Sequence, residues 1–138
     1  MAEFAAEGAV RLRFQWPDNA RVPADLIAAA IADAHDEVLR RLASWVDPEA
    51  PDDALCVGET LLAGARVLSA LAAKEATEQR HVTVGRQRVE AGTRFSALMA
   101  MADRAEADAW DRLAPYLDAV PEMWTAGTTD SQPVLGGE

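Results

Sequence analysis

The sequence predicts a mainly α-helical single domain with three long helices, a short β-hairpin between the second and third helices, and an N-terminal strand. Of the 138 residues, 50% are hydrophobic but only 6% are aromatic. Such a composition, with abundant alanine, favours close-packed helices over a β-sandwich. Three long segments repeat apolar residues at three- and four-residue steps, and two short segments alternate as strands do. We expect one domain over residues 1–120, followed by a tail at residues 121–138.

The first predicted element is a strand at residues 10–16. Val10, Leu12, Phe14 and Trp16 alternate with polar residues there, which is the period-two pattern of a half-buried strand. A single strand is not stable alone. We therefore expect this strand to pair with another, either in this chain or in a neighbouring copy.

Three helices are predicted at residues 23–45, 53–79 and 93–117. Pro23 suits the first turn of the first helix, because its missing N–H would have no partner there. The second helix is apolar on most sides, which is typical of a central bundle helix or of a helix between subunits. Pro115 marks the last turn of the third helix or a kink in it.

A β-hairpin is predicted at residues 81–92, because valines alternate with threonine before Gly85. This segment is basic: residues 80–94 carry a net charge of +3, whereas the whole chain carries −10. Three interpretations of this basic segment stay open. It is a solvated loop, it contacts an acidic patch on a neighbouring identical subunit, or it contacts nucleic-acid phosphate. The arginines concerned are Arg80, Arg86, Arg88 and Arg94.

The overall charge and composition exclude several classes of protein. A net charge of −10 disfavours a dedicated nucleic-acid binder and a protein that binds anionic membranes. No run of 18 apolar residues occurs, so we expect no transmembrane helix, and the acidic start is unlike a secretory signal. The single cysteine, Cys56, cannot form an internal disulfide, which fits a reducing cytoplasmic setting.

Candidate catalytic and metal-binding residues are few. His35 lies among Asp33, Asp36 and Glu37, but no second helical histidine completes a metal site, so we interpret it as solvated helix surface. Cys56 lies in an apolar run and is interpreted as a small buried hydrophobe. Phosphate-binding and dinucleotide-binding glycine motifs are absent from the sequence. We expect no catalytic activity, no metal and no cofactor.

Several elements of the chain favour association with other subunits, because a three-helix domain does not supply partners for them. The lone strand, the apolar second helix and the apolar residues of the tail each lack an evident partner. Apolar anchors in a terminal tail often dock on another protein. The predicted anchors are Met123, Trp124, Val134 and Leu135.

Four segments, in order, carry a resemblance to a known family: VPADLIAAAIADAHDEVLRRL, LLAGARVLSALAAKEA, VTVGRQRVEAG and WDRLAPYL. Over residues 23–117 this layout resembles the head–tail connector (adaptor) proteins of tailed phages and gene transfer agents. In that family a V-x-V-G…V-E stretch joins two helices, and the closing helix often ends in a Leu-x-x-Tyr/Leu pattern.

The resemblance implies a structural protein of the virion neck that is made in the host cytoplasm. Family members form rings, typically twelve-fold, beneath the portal protein. They extend the DNA channel, which DNA passes without specific binding, and they contact a stopper or tail-completion protein. By this resemblance the tail anchors would dock on the portal. An acidic channel wall would repel DNA phosphate and let the duplex slide. The candidate residues for such a wall are Asp33, Asp36 and Glu37, although a solvated outer face is the stronger interpretation of them.

Two other functions stay open. A small helical oligomeric binding or regulatory protein would dimerise through the second helix. A metal protein or enzyme would use His35 and the neighbouring acidic residues.

Overall fold

The computed structural model describes residues 3–17, 19, 21–79 and 85–118. This part of the chain contains four α-helices and a short 3-10 helix: α1 (Glu7–Phe14), α2 (Ala24–Arg41), α3 (Asp53–Gln79), α4 (Gly85–Leu113) and the 3-10 turn Ala114–Tyr116.

Helices α3 and α4 form a long antiparallel pair on which the rest of the fold is built. Leu113, at the end of α4, lies against Gly58 near the start of α3, and Arg94 of α4 bonds Glu75 of α3 at 3.2 Å. Helices of this length extend about 40 Å. A buried cluster lies at the seam between the two helices, with two members on each helix three positions apart. Its members are Ala65 and Leu68 of α3 and Ala102 and Ala105 of α4.

Helix α2 packs on the N-terminal half of α3 through one apolar stripe. The stripe follows the three- and four-residue spacing seen in the sequence and is almost completely buried. Its members are Ile27, Ile31, Ala34 and Val38. They belong to the same core cluster as Leu55, Leu62 and Trp110, so the main core lies where α2, α3 and the end of α4 meet.

The end of α2 is fixed by the segment that follows α4. The Ala43 N–H donates to the Tyr116 carbonyl at 2.9 Å, and the Asp118 N–H donates to the Arg41 carbonyl at 2.9 Å. Leu42, in extended conformation, forms an isolated antiparallel bridge with Leu117. This pairing ends α2 at Arg41, four residues before the predicted boundary. Helix α3 has the predicted bounds.

The predicted N-terminal strand is wrong, because residues 7–14 form helix α1. Val10 is completely buried and Leu12 is 74% exposed, so the apolar residues do not share a face as they would on a strand. Glu7 and Arg11 form an ion pair one helical turn apart at 2.9 Å. The helix ends at Phe14, and the left-handed conformation of the next residue, Gln15 (φ 60°, ψ 51°), turns the chain.

The predicted hairpin at 81–92 is also wrong. Helix α4 begins at Gly85, eight residues before the predicted start, and includes all of residues 85–92. Most of residues 86–91, which lie between Gly85 and Gly92, are good helix formers. Extension of an established helix by these residues needs no new nucleation. Residues 81–84 lie outside the described part of the chain.

Helix α3 is apolar and long enough, by composition and length, to cross a membrane between Asp53 and Thr77. However, 61% of its most apolar window is buried inside the fold. A helix at the centre of a bundle requires the same composition. Its burial against α2 and α4 therefore accounts for the apolar character of α3.

Candidate functional site

A buried pair of ionisable side chains lies between α2 and α3. Glu59 is completely buried and His35 is 6% exposed. The His35 Nδ1 atom lies 2.9 Å from Glu59 Oε1. The second carboxylate oxygen, Oε2, accepts hydrogen bonds from the backbone N–H groups of Phe4 at 2.9 Å and Ala5 at 3.1 Å. The pair therefore joins α2, α3 and the N-terminal segment.

The environment of this pair is apolar and closed. The Phe4 ring meets the His35 ring edge to face, with centroids 4.8 Å apart. The other imidazole nitrogen, Nε2, is buried and has no hydrogen-bond partner among the described residues. Burial raises the pKa of Glu59, and the His35 ring and the two backbone amides oppose this effect. Because solvent does not reach the carboxylate, the arrangement suits anchoring of a segment better than turnover of a substrate.

The sequence interpretation of His35 as solvated helix surface is wrong. His35 follows Ala34 and lies one turn after Ile31, so it sits at the border of the buried stripe. Glu59 was not recognised as a candidate. It is the single charged residue between Asp53 and Arg66, in an otherwise apolar stretch of α3. A charge in such a stretch must find a partner, and this signal was available in the sequence.

A shallow groove of about 380 Å³ lies between α1 and the first turns of α3. It is largely apolar, and Leu12 at its edge is 74% exposed. Cys56 lines the groove and is half-buried. Burial, and secondarily the negative charge of Asp53, raises the pKa of the Cys56 thiol, so this thiol is not an activated nucleophile. The lining residues are Phe4, Ala6, Ala9, Leu12, Arg13, Cys56, Val57 and Thr60.

A second exposed apolar surface lies at the end of the bundle where α2 ends and α3 begins. Trp45 is 69% exposed, and its ring centroid lies 6.0 Å from that of Tyr116. Desolvation, together with a hydrogen bond to Asp52, raises the pKa of Tyr116. Between residues 42 and 54 the chain carries four acidic residues, Asp47, Glu49, Asp52 and Asp53, and no lysine or arginine, so this aromatic end is acidic.

Only part of the predicted acidic face on α2 presents carboxylates that are not paired with arginine. Asp33 and Asp36 are exposed. Glu37 instead bonds Arg40 and Arg41, each at 2.6 Å. The hydrogen bond from Arg41 is the main reason that the pKa of Glu37 is lowered.

The predicted basic residues do not form a hairpin. Arg86 and Arg88 belong to the first turns of α4, and Arg94 is exposed and bonds Glu75. Arg80 lies outside the described residues. The predicted tail anchors also lie outside them: Met123, Trp124, Val134 and Leu135.

Within the described ranges, no group of three or more His, Cys, Asp or Glu side chains is placed to hold a metal ion. Comparison of the chain with protein-family models, curated proteins and solved structures gives no match.

Proposed function

We propose that this chain is a structural assembly subunit, a head–tail connector that forms a ring beneath a portal protein, extends the DNA channel and links capsid to tail. The observation that carries this proposal is the presence of two different exposed apolar surfaces on one small domain. One is the groove edged by Leu12, between α1 and α3, and the other is the aromatic end formed by Trp45 and Tyr116.

Two different surfaces suit a ring better than a simple dimer. In a two-fold dimer the same patch of each subunit meets its copy, whereas a ring requires two unlike patches that meet head to tail. The groove is lined partly by α1, and the aromatic end belongs to the loops after α2 and α4. Each subunit of a ring would use both.

The pattern resemblance over residues 23–117 supports a connector in particular. Residues 85–92 of that pattern are helical and do not form a hairpin, so the support comes from the helices and their order. The acidic balance of −10 is compatible with DNA that slides past without binding. The proposed partners are further copies of this chain, the portal, and a stopper or tail-completion protein.

Negative-stain electron microscopy of the full chain tests this proposal, with the chain alone and mixed with a portal protein from the same genome. We expect rings, or an added layer on the portal. Trp45→Ala and Leu12→Ala should each weaken assembly, since each removes a side chain from one surface. Met101→Ala is the matched control, because Met101 is 50% exposed on α4 and belongs to neither surface.

Particles no larger than a dimer, with an unchanged portal, would contradict the connector proposal. A dimer that Trp45→Ala and Leu12→Ala leave intact would favour the helical regulatory protein. Deletion of residues 121–138 tests the tail separately. If the tail docks on the portal, this deletion abolishes portal attachment and leaves the folded domain unchanged.

A further inference from the structure

We infer that Trp45 of one copy of this chain inserts into the groove between α1 and α3 of a second copy, with the acidic residues beside Trp45 facing Arg13. This contact is the joint between neighbouring subunits of the proposed ring, so the inference rests on the proposed function. The groove then has one occupant, the aromatic end of another copy.

Trp45 is placed as an anchor for a second protein. It lies in the segment that follows α2, where the Ala43 N–H donates to the Tyr116 carbonyl at 2.9 Å and fixes the backbone. Trp45 is 69% exposed, and the Tyr116 ring lies beside it. A tryptophan that becomes buried removes about 150–250 Å² of surface from water. An exposed indole on a fixed backbone is therefore suited to fill a groove on another molecule.

The groove has the size and the chemistry for such a side chain. Its volume of about 380 Å³ is near the lower limit for ligand sites, which is about 300 Å³, so it suits one or two large side chains. Its lining is apolar apart from Arg13 and Thr60. The Thr60 hydroxyl already donates to the Cys56 carbonyl at 2.7 Å, so it needs no partner from an occupant.

Charge favours contact between the two unlike surfaces. Arg13 is the one charged residue of the groove lining; it is exposed and forms no ion pair with another described residue. The segment 42–54 around Trp45 carries four acidic residues and no lysine or arginine. Its acidic residues are Asp47, Glu49, Asp52 and Asp53. Contact of two aromatic ends would bring the acidic residues of both copies together, whereas contact of an aromatic end with a groove pairs them with Arg13.

The charges also orient the aromatic end in the groove. Asp53 is exposed on α3, one turn before Cys56 of the groove, whereas Arg13 lies on the α1 side. The acidic residues beside Trp45 should therefore face α1 and lie away from α3. Because each copy uses a different surface on each side, the contact repeats from copy to copy and closes into a ring.

The single cysteine of the chain makes the contact testable, because Cys56 lines the groove. Two versions of the full chain are mixed and treated with a short bismaleimide cross-linker. The wild type has a thiol only in the groove. The other version combines Ser44→Cys with Cys56→Ser, so that its thiol lies only beside Trp45, at a position that is exposed. With a tag on one version, we expect a covalent dimer that contains one copy of each.

Met101→Cys in the Cys56→Ser background is the matched control, because Met101 is 50% exposed on α4 and belongs to neither surface. The same Cys56 thiol reacts in every mixture, so its reactivity cancels from the comparison. We expect the thiol at position 44 to give about tenfold more mixed dimer than the thiol at position 101. Trp45→Ala in the Ser44→Cys chain should lower the yield to the control level. Arg13→Glu in the wild-type chain should lower it about fivefold.

Equal yields from positions 44 and 101, on the chain alone and on the portal-bound layer, would overturn the inference. A yield that Trp45→Ala leaves unchanged would also overturn it. Electron microscopy separates this result from the proposed function. Rings without the mixed dimer would leave the connector proposal in place and refute this contact, whereas the mixed dimer without rings would support the contact and contradict the ring.

Discussion

Three helical glycines provide a graded test of how closely the helices pack. A Cβ added at Gly8 meets no atom within 4 Å. A Cβ added at Gly58 would lie 2.6 Å from Cγ and 2.7 Å from Cδ2 of Leu113, and a Cβ added at Gly64 would overlap the ring of Phe14. Since all three glycines are in helices, each change to alanine gains up to about 1 kcal/mol of helix propensity. The differences between the three variants therefore report on packing.

The two crowded sites differ in how freely the neighbour can move. Leu113 is completely buried in the core, so alanine at position 58 must displace the end of α4. Phe14 is only half-buried at the end of α1, where it stacks on Trp16 with ring centroids 4.8 Å apart. Overpacking costs about 1–3 kcal/mol. After subtraction of the helix gain, we expect Gly58→Ala to destabilise by about 2 kcal/mol and Gly64→Ala by about 1 kcal/mol.

Urea unfolding followed by circular dichroism measures these differences. Gly8→Ala should be neutral or stabilise by about 0.5 kcal/mol. The decisive comparison is Gly64→Ala in a Phe14→Ala background, where the clash is gone. There the same change should stabilise by about 1 kcal/mol, so its sign reverses. An equal destabilisation in both backgrounds would refute the argument that the Phe14 ring is what the glycine accommodates.

Three further predictions concern surface groups. Trp45→Ala should change the free energy of unfolding by less than about 0.5 kcal/mol, because Trp45 is 69% exposed; thermal unfolding measures this, and a larger loss would mean that Trp45 belongs to the core. The Cys56 thiol should react with a disulfide reagent at about pH 8 about tenfold more slowly than a free thiol, because burial raises its pKa; reaction at the free-thiol rate would contradict this. Glu37→Gln should lower the free energy of unfolding by about 0.5 kcal/mol at neutral pH, since the ion pairs of Glu37 with Arg40 and Arg41 are partly exposed. Because the pKa of Glu37 is lowered, the wild-type advantage should be present above the ordinary pKa of 4.5 and vanish as pH falls through the folded pKa; an advantage that persists in acid would show another cause.

The long helices could be predicted from the sequence, because their apolar periodicity extends over many turns. The predicted and observed bounds of α3 agree at Asp53 and Gln79. The short N-terminal element could not be assigned correctly, since seven alternating residues fit a strand and a two-turn helix almost equally. The contacts that decide it are tertiary: Val10 enters the core and Phe14 packs over Gly64. The pair Glu7–Arg11, one helical turn apart, was the local signal that favoured the helix.

The buried pair could be predicted only in part. A charged residue within the apolar stretch of α3 signals that Glu59 needs a partner. The identity of that partner depends on how α2 is rotated and aligned against α3, and two helix patterns do not fix this. The sequence therefore places His35 only among its acidic neighbours on α2, whereas its neighbours in the fold are Phe4 and Glu59.

Acidic residues are concentrated at one end of the α3–α4 pair. At the opposite end, where α3 ends and α4 begins, the charges are mixed: Lys74, Arg86, Arg88 and Arg94 alternate with Glu75, Glu78 and Glu90. The acidic aromatic end with Trp45 and Tyr116 lies where α3 begins. A separation of about 40 Å is several times the screening length at physiological salt, so the two ends act independently. The acidic end should attract a basic surface more strongly than the mixed end does. Under the connector proposal, this difference would give the subunit a defined orientation between its two neighbours.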